Sequence, residues 1–178
     1  MNIETIQVGA LQTNCYIVES SGKTLIVDPG ADYFILKRYL IEKDIVGILI
    51  THGHDDHIGA VQSIVDAFHV PVYSKNNLKE GKYEIGPFHF EVIYTPGHTS
   101  DSVTYYFYEY NFLFSGDFLF KNTVGRMDLE SGSVDDMKCS LEKIYKYNDH
   151  ITVYPGHGES TNLGDEKRRN QYFNWVTK

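Results

Sequence analysis

The segment Ile50-Thr51-His52-Gly53-His54-Asp55-Asp56-His57 constrains this chain more than any other. A short apolar run at residues 47–50 leads into it, and a stretch with helical apolar spacing at residues 58–68 leads out. The cluster therefore sits where a buried strand turns into a helix. In extended chain, residues two apart point the same way, so His52 and His54 can face one point. The turn redirects the backbone, and Asp56 and His57 can then face a neighbouring point. Gly53 lets the chain pass close without a side chain in the way. Polar residues this dense after an apolar strand are poor core material and good metal-ligand material.

Three more segments repeat the local grammar of an apolar run, then small or turn-forming residues, then one potential ligand. Thr95-Pro96-Gly97-His98-Thr99 supplies His98. Phe114-Ser115-Gly116-Asp117 supplies Asp117, and Tyr154-Pro155-Gly156-His157-Gly158 supplies His157. A lone histidine at a strand end is usually structural. Beside the His/Asp cluster, three such endings point instead to one site gathered at the edge of a sheet.

Apolar patterning predicts strands at residues 5–8, 14–19, 24–27, 47–50 and 70–73, with a hairpin turn at 20–23. Further strands are expected at 88–94, 103–108, 112–114 and 151–154, with a turn at 109–111. Helices are expected at 32–43, with Phe34, Ile35, Tyr39 and Leu40 as its apolar stripe, and at 58–68, 133–147 and 163–176. Ser133 is the expected N-cap of the third helix, with Asp136 three residues later. This order describes two α/β halves packed sheet to sheet with helices outside. At 178 residues it fits one domain spanning 1–178.

The pattern HxHxDH followed by single His, Asp and His residues resembles the metallo-β-lactamase superfamily, and within it the short, single-domain glyoxalase II-like (hydroxyacylglutathione hydrolase-like) proteins. The likeness also takes in Asp28-Pro29-Gly30, Gly125-Arg126-Met127-Asp128-Leu129 and residues 155–161. It implies a four-layer αββα sandwich. It implies that His52, His54 and His98 bind one metal, that Asp56, His57 and His157 bind a second, and that Asp117 bridges both. Asp28 then orients a ligand histidine from behind. Two divalent ions are expected, zinc first, with iron or manganese as alternatives. The implied reaction is attack of a hydroxide held between the metals on the carbonyl of a small thioester such as S-lactoylglutathione. Asp28, Asp56 and Asp117 are the carboxylates assigned to that chemistry. Tyr16, Arg126 and residues 121–124 are candidates for the substrate rim. The C-terminal helical domain that holds glutathione in the long enzymes of the group is not expected, because only about one helix follows His157.

Alternatives within the likeness are an iron-dependent persulfide dioxygenase, a lactonase and a non-catalytic metal-binding scaffold. The Pro-Gly-His-Gly ending favours a hydrolase over the dioxygenase. An aspartate at the bridging position disfavours a β-lactamase. A formal charge of −8 argues against a nucleic-acid partner, whose phosphates need a basic face. Lys167, Arg168 and Arg169 read as a helix face instead. No signal peptide or membrane-spanning run is apparent, so a cytoplasmic protein is expected. Cys15 and Cys139 are expected to be free, buried thiols.

Overall fold

The computed structural model describes residues 1–176. Its first sheet runs in the spatial order β1 (Asn2–Val8), β2 (Thr13–Ser20), β3 (Lys23–Val27), β4 (Asp44–Leu49), β5 (Val72–Tyr73). The first three strands are antiparallel and the last two join in parallel. The second sheet takes β6 (Gly81–Ile85), β7 (Phe88–Tyr94), β8 (Val103–Phe107) and β9 (Phe112–Gly116) as an antiparallel series. A small hairpin, β10 (Leu119–Phe120) and β11 (Thr123–Val124), follows. The chain then returns as β12 (Thr152–Pro155), parallel to β9, with β13 (Thr161–Asn162) at the edge. The helices are α1 (Tyr33–Leu40), α2 (Asp55–Ile58), α3 (Val61–Phe68), α4 (Val134–Tyr145) and α5 (Leu163–Arg169), with a 3-10 segment at Gln171–Trp175.

Strand alternation sorts the side chains into layers. In β2, Cys15 and Ile17 join a cluster with Leu36 and Leu40 of α1 and Ile64 of α3. Tyr16 and Val18, pointing the other way, pack between the sheets with Phe88, Phe90, Tyr105 and Phe114. Leu113 and Val153 face outward from the second sheet onto Met137, Leu141 and Ile144 of α4 and Leu163 of α5. Three apolar clusters between four layers make the αββα sandwich expected from the sequence.

The differences have local causes. Residues 58–68 are not one helix. The Ala60 N–H donates to the carbonyl of Pro29 (3.0 Å), and the ladder restarts at Ala60 as α3. Residues 163–176 divide at Asn170, whose extended backbone ends α5 and whose side chain accepts from the Tyr172 N–H. On α1 the inward stripe is Leu36 and Leu40, while Phe34 and Ile35 face solvent at 80% and 48% exposure. That helix stops at Leu40, before Glu42 enters the left-handed region (φ 68°). β6 and the two-residue strands β10, β11 and β13 were not legible as strands. Ser133 does cap α4, accepting from the Asp136 N–H. Cys15 is buried as expected, whereas Cys139 is exposed, on the solvent side of α4.

Candidate metal centre

Every candidate ligand leaves the end of a strand. His52 and His54 follow β4, with His54 at the N-cap of α2, and Asp56 and His57 lie within α2. His98 follows β7, Asp117 follows β9 and His157 follows β12. One sheet thus contributes four residues and the other three, and all seven converge.

They converge as two sets. His52 Nε2 and His98 Nε2 each lie 3.0 Å from His54 Nδ1. Asp56 Oδ2 lies 3.2 Å from His157 Nε2 and 3.5 Å from His57 Nε2. Asp117 spans the two, with Oδ1 at 3.3 Å from His57 Nε2 and Oδ2 at 3.5 Å from both His98 Nε2 and His157 Nε2. Within each of the sets His52/His54/His98, Asp56/His57/His157 and His52/His57/Asp117, the donor atoms lie within 4.8 Å of one another.

The surroundings fix which nitrogen faces the centre. His57 Nδ1 donates to Asp28 Oδ2 (2.8 Å), His98 Nδ1 to the Arg126 carbonyl (2.8 Å), and His157 Nδ1 to the Leu11 carbonyl (3.1 Å). Thr51 gives its hydroxyl proton to Asp28 (2.6 Å), so its oxygen is left to accept from His52 Nδ1 (3.1 Å). In their neutral forms these four rings therefore aim bare Nε2 lone pairs inward. Thr13, wholly buried, donates to Asp56 Oδ2 (2.8 Å) and orients that carboxylate.

Burial of the imidazoles holds His52 well below the ordinary histidine value, with the nearby rings adding to the effect, and lowers His54 as well. His57 behaves oppositely. Burial alone would lower it, but the carboxylate of Asp28, to which it hydrogen-bonds, and the close carboxylate of Asp117 push it up to about 10. Burial alone would raise Asp117, yet the close imidazoles of His157 and His57 hold its carboxyl far below the usual range. The nearness of Asp117 also raises His157.

Divalent cations fit this arrangement. His57 Nε2 and Asp117 Oδ1 are buried, face each other, and have no hydrogen-bond partner among the described residues. Buried polar atoms are rarely left this way, and a cation between two lone pairs satisfies both. Backbone is also kept clear of the centre. A Cβ on Gly156 would lie 2.2 Å from Asp117 Oδ1, and Gly116 adopts φ +51° where a Cβ would strike Thr51. The donors, imidazole and carboxylate without thiolate, suit zinc, iron or manganese.

The remaining site expectations sort by position. Asp28, buried with φ 49°, does not reach the ligand cluster's interior. It is a positioning residue that accepts from His57 and twice from Thr51. Tyr16 is not on the rim; it is 3% exposed and donates its hydroxyl to the Pro155 carbonyl (2.6 Å). Arg126 meets the site through its carbonyl, while its exposed guanidinium is held by both oxygens of Asp128. Residues 121–124 belong to the β10–β11 hairpin, with Val124 buried and Lys121 paired to Glu159. Thr13, Thr51 and the carbonyls of Leu11 and Arg126 were not foreseen. Among the described residues no helix is long and apolar enough to cross a membrane.

Comparison with known proteins agrees with this architecture. The sequence is 32% identical to a probable metallo-hydrolase, YqgX, of Bacillus subtilis, over 98% of each chain. It is 30% identical to the hydroxyacylglutathione hydrolase GloC of Haemophilus influenzae, over 98% of this chain and 99% of that one. The solved B3 metallo-beta-lactamase BLEG-1 superposes with a TM-score of 0.91 at 32% identity, covering 99% of this chain and all of that one. The di-iron-bound form of TTHA1623 gives 0.87 at 31% identity, over 95% and 99%. The profile of the Metallo-beta-lactamase superfamily matches residues 8–81 and 77–157. With that match across both halves, and the ligand cluster lying where the halves meet, this chain belongs to the metallo-beta-lactamase superfamily.

Proposed function

We propose that the chain is a binuclear metallohydrolase that cleaves a small thioester, with S-lactoylglutathione as the reference substrate. The observation that carries this reading is Asp117, whose carboxylate lies against both ligand sets, Oδ1 facing His57 and Oδ2 lying 3.5 Å from both His98 and His157. Divalent ions held there would lower the pKa of a water toward about 7 and polarise a carbonyl oxygen. The protein's own contribution is placement. Asp28 and the backbone carbonyls fix the imidazoles, and Thr13 fixes Asp56. Asp56 and Asp117 are the carboxylates that line the centre, and either could take the proton of a water bound there. Water and thioester yield a carboxylic acid and a thiol. A thiolate leaves readily because its conjugate acid has a pKa of about 8.5, so no separate general acid is required. The similarity to a hydroxyacylglutathione hydrolase supports the substrate class. We take zinc as the first candidate metal, and iron as the second because TTHA1623 has a di-iron form. The reading places the enzyme in the cytoplasm with a small molecule as its partner.

The similarity to BLEG-1 favours a β-lactam as the second substrate class. The test is a panel on protein loaded separately with zinc, iron and manganese. It compares S-lactoylglutathione, simpler thioesters, glutathione persulfide, a lactone and a chromogenic β-lactam. Thioester turnover that Asp117→Ala removes together with bound metal is the expected result. Turnover of the β-lactam or persulfide alone would replace this reading. Less than half an equivalent of metal after reconstitution would end it.

A further inference from the structure

Two recesses adjoin the metal centre, one at His54 and one at His52. One is a groove bounded by His54, Thr99, Asp101, Leu129 and Glu130. The other is a cavity of about 340 Å³ between the start of α3, the end of β5 and the loop carrying His98. That volume is in the range of small-ligand sites. Gly53 and Asp101 border both recesses and form the ridge between them. The ridge is low because Gly53 has no side chain; a Cβ there would come within 3.1 Å of Asp101 Oδ2. A substrate reacting near His54 can therefore straddle it.

The cavity's chemistry is specific. Ile50, Ile58, Val61 and Val72 form its floor. Gln62, Ser74 and Asn76 stand on its rim. Gln62 donates its amide nitrogen to Asp66, which leaves the amide oxygen to accept from a ligand. Lys75 also borders the cavity and keeps its positive charge, with its ammonium held against the Ser100 carbonyl and 4.7 Å from the Tyr94 ring centroid. Asp101 at the ridge and Glu130 across the metal groove carry two negative charges, and Arg126 is paired with Asp128. The one cation is outnumbered, so a carrier ending in carboxylates gains less here than an uncharged chain that meets apolar floor and amide partners.

We infer that this cavity binds the thiol-carrier portion of the substrate, and that the carrier is an uncharged, amide-bearing aliphatic chain rather than one with carboxylate ends. The inference rests on the thioester reading above. It makes the residues of the cavity other than His52, which is itself a candidate ligand, specificity determinants. Each methylene buried on the floor is worth roughly fourfold in affinity.

The experiment uses the metal-loaded protein and three thioesters sharing one lactoyl group. Their carriers are N-acetylcysteamine, pantetheine and glutathione. The expected kcat/KM for the pantetheine ester exceeds that for the N-acetylcysteamine ester by tenfold or more, mainly through KM. The glutathione ester gains no such advantage. Gln62→Trp, which fills the cavity from the exposed side, brings the pantetheine to N-acetylcysteamine ratio toward one. Asn76→Trp does the same from the opposite wall, so the test survives if one variant misfolds. Equal values for the two uncharged carriers, or a ratio untouched by both variants, would overturn the inference. In parallel, S-methylpantetheine, which cannot be hydrolysed, is titrated calorimetrically into wild type and variants. Binding that either variant removes supports the cavity assignment even if no thioester is cleaved, an outcome that would defeat the thioester reading alone. Absence of binding to wild type would defeat the cavity assignment alone.

Discussion

Gly156→Ala is the sharpest test of how the ligand cluster is held. Gly156 is not in the left-handed region, so its backbone accepts alanine and only the added methyl matters. That methyl would sit 2.2 Å from Asp117 Oδ1, 2.7 Å from His57 Cε1 and 3.2 Å from the Gly116 carbonyl carbon. Real Cβ atoms essentially never come within 3.0 Å of another atom, so the Asp117 carboxylate must retreat by about 0.8 Å. Metal–ligand distances tolerate about 0.2 Å, so relaxation cannot absorb the displacement without losing a bond. His57, pinned at Nδ1 by Asp28, cannot swing aside without breaking that bond. Asp117 lies against both ligand sets, so binding of ions at both should weaken, each by at least the 10–100-fold typical of disturbed ligand support. The overpacking should also cost about 1–3 kcal/mol of stability. Metal content by mass spectrometry after gel filtration, and affinity by competition with a chromophoric chelator, read the effect. Gly22→Ala is the control, because a Cβ there meets nothing within 4 Å and only its φ of +76° is penalised. It should lower the melting temperature and leave metal affinity unchanged. Two full equivalents of metal at wild-type affinity in Gly156→Ala would refute the account of the cluster.

Asp28→Asn should weaken the ion held by His57 by roughly 10–100-fold. Three donors converge on that carboxylate, and an amide must turn its NH2 toward at least one of them; equal stepwise affinities in a chelator titration would contradict this. The two ions should also part company on acidification. His57 and His157 hold protons more strongly than ordinary histidines, whereas His52 and His54 hold them less strongly. Protons therefore compete harder at the Asp56/His57/His157 site, whose apparent affinity should fall about tenfold per pH unit from pH 8 to 6. The His52/His54/His98 ion should be lost later; identical slopes in pH-stepped titrations would show that the sites are not distinguished in this way. Ser133→Ala removes the hydroxyl that accepts from the Asp136 N–H, and should lower stability by about 1 kcal/mol with no change in metal content. A fall in bound metal would mean that α4 positions the ligands.

The convergence of the seven candidate ligands was readable because each member announces itself locally. The His52–His57 run has a spacing that only a strand-to-helix junction makes useful, and the other three ligands follow the same punctuation of apolar run, turn and single polar residue. Their supports were not readable for a physical reason. Leu11 and Arg126 act through carbonyls, which every residue has, and Thr13 and Thr51 act through hydroxyls common in any strand. Which face of α1 turns inward was equally obscure. Of the expected stripe Leu40 does turn inward, while Leu36, one turn earlier, joins it in place of Phe34, Ile35 and Tyr39 because the sheet beneath selects that face. β6 escaped notice because alternate residues are half exposed at the edge of its sheet, which removes the strong apolar contrast of an inner strand. Tyr16 was misplaced because a tyrosine near a candidate site looks like a rim residue until the Pro155 carbonyl is seen to satisfy its hydroxyl.

The ligands come from the ends of strands in both sheets, and this has a consequence for how the molecule survives in a cell. At this end of the sandwich the seam between the sheets is closed by Asn14, which joins Pro155, Gly156 and Gly158, and by the pairing of Thr13 with His157. Ions bound between His52 and His157 would act as a removable rivet through that seam, tying early and late parts of the chain. Stabilisation by such a rivet grows with the logarithm of free metal over its dissociation constant, about 2.7 kcal/mol at a hundredfold excess. Protease resistance of this protein should therefore track the metal supply of its surroundings, so that metal starvation would act on its abundance as well as its turnover.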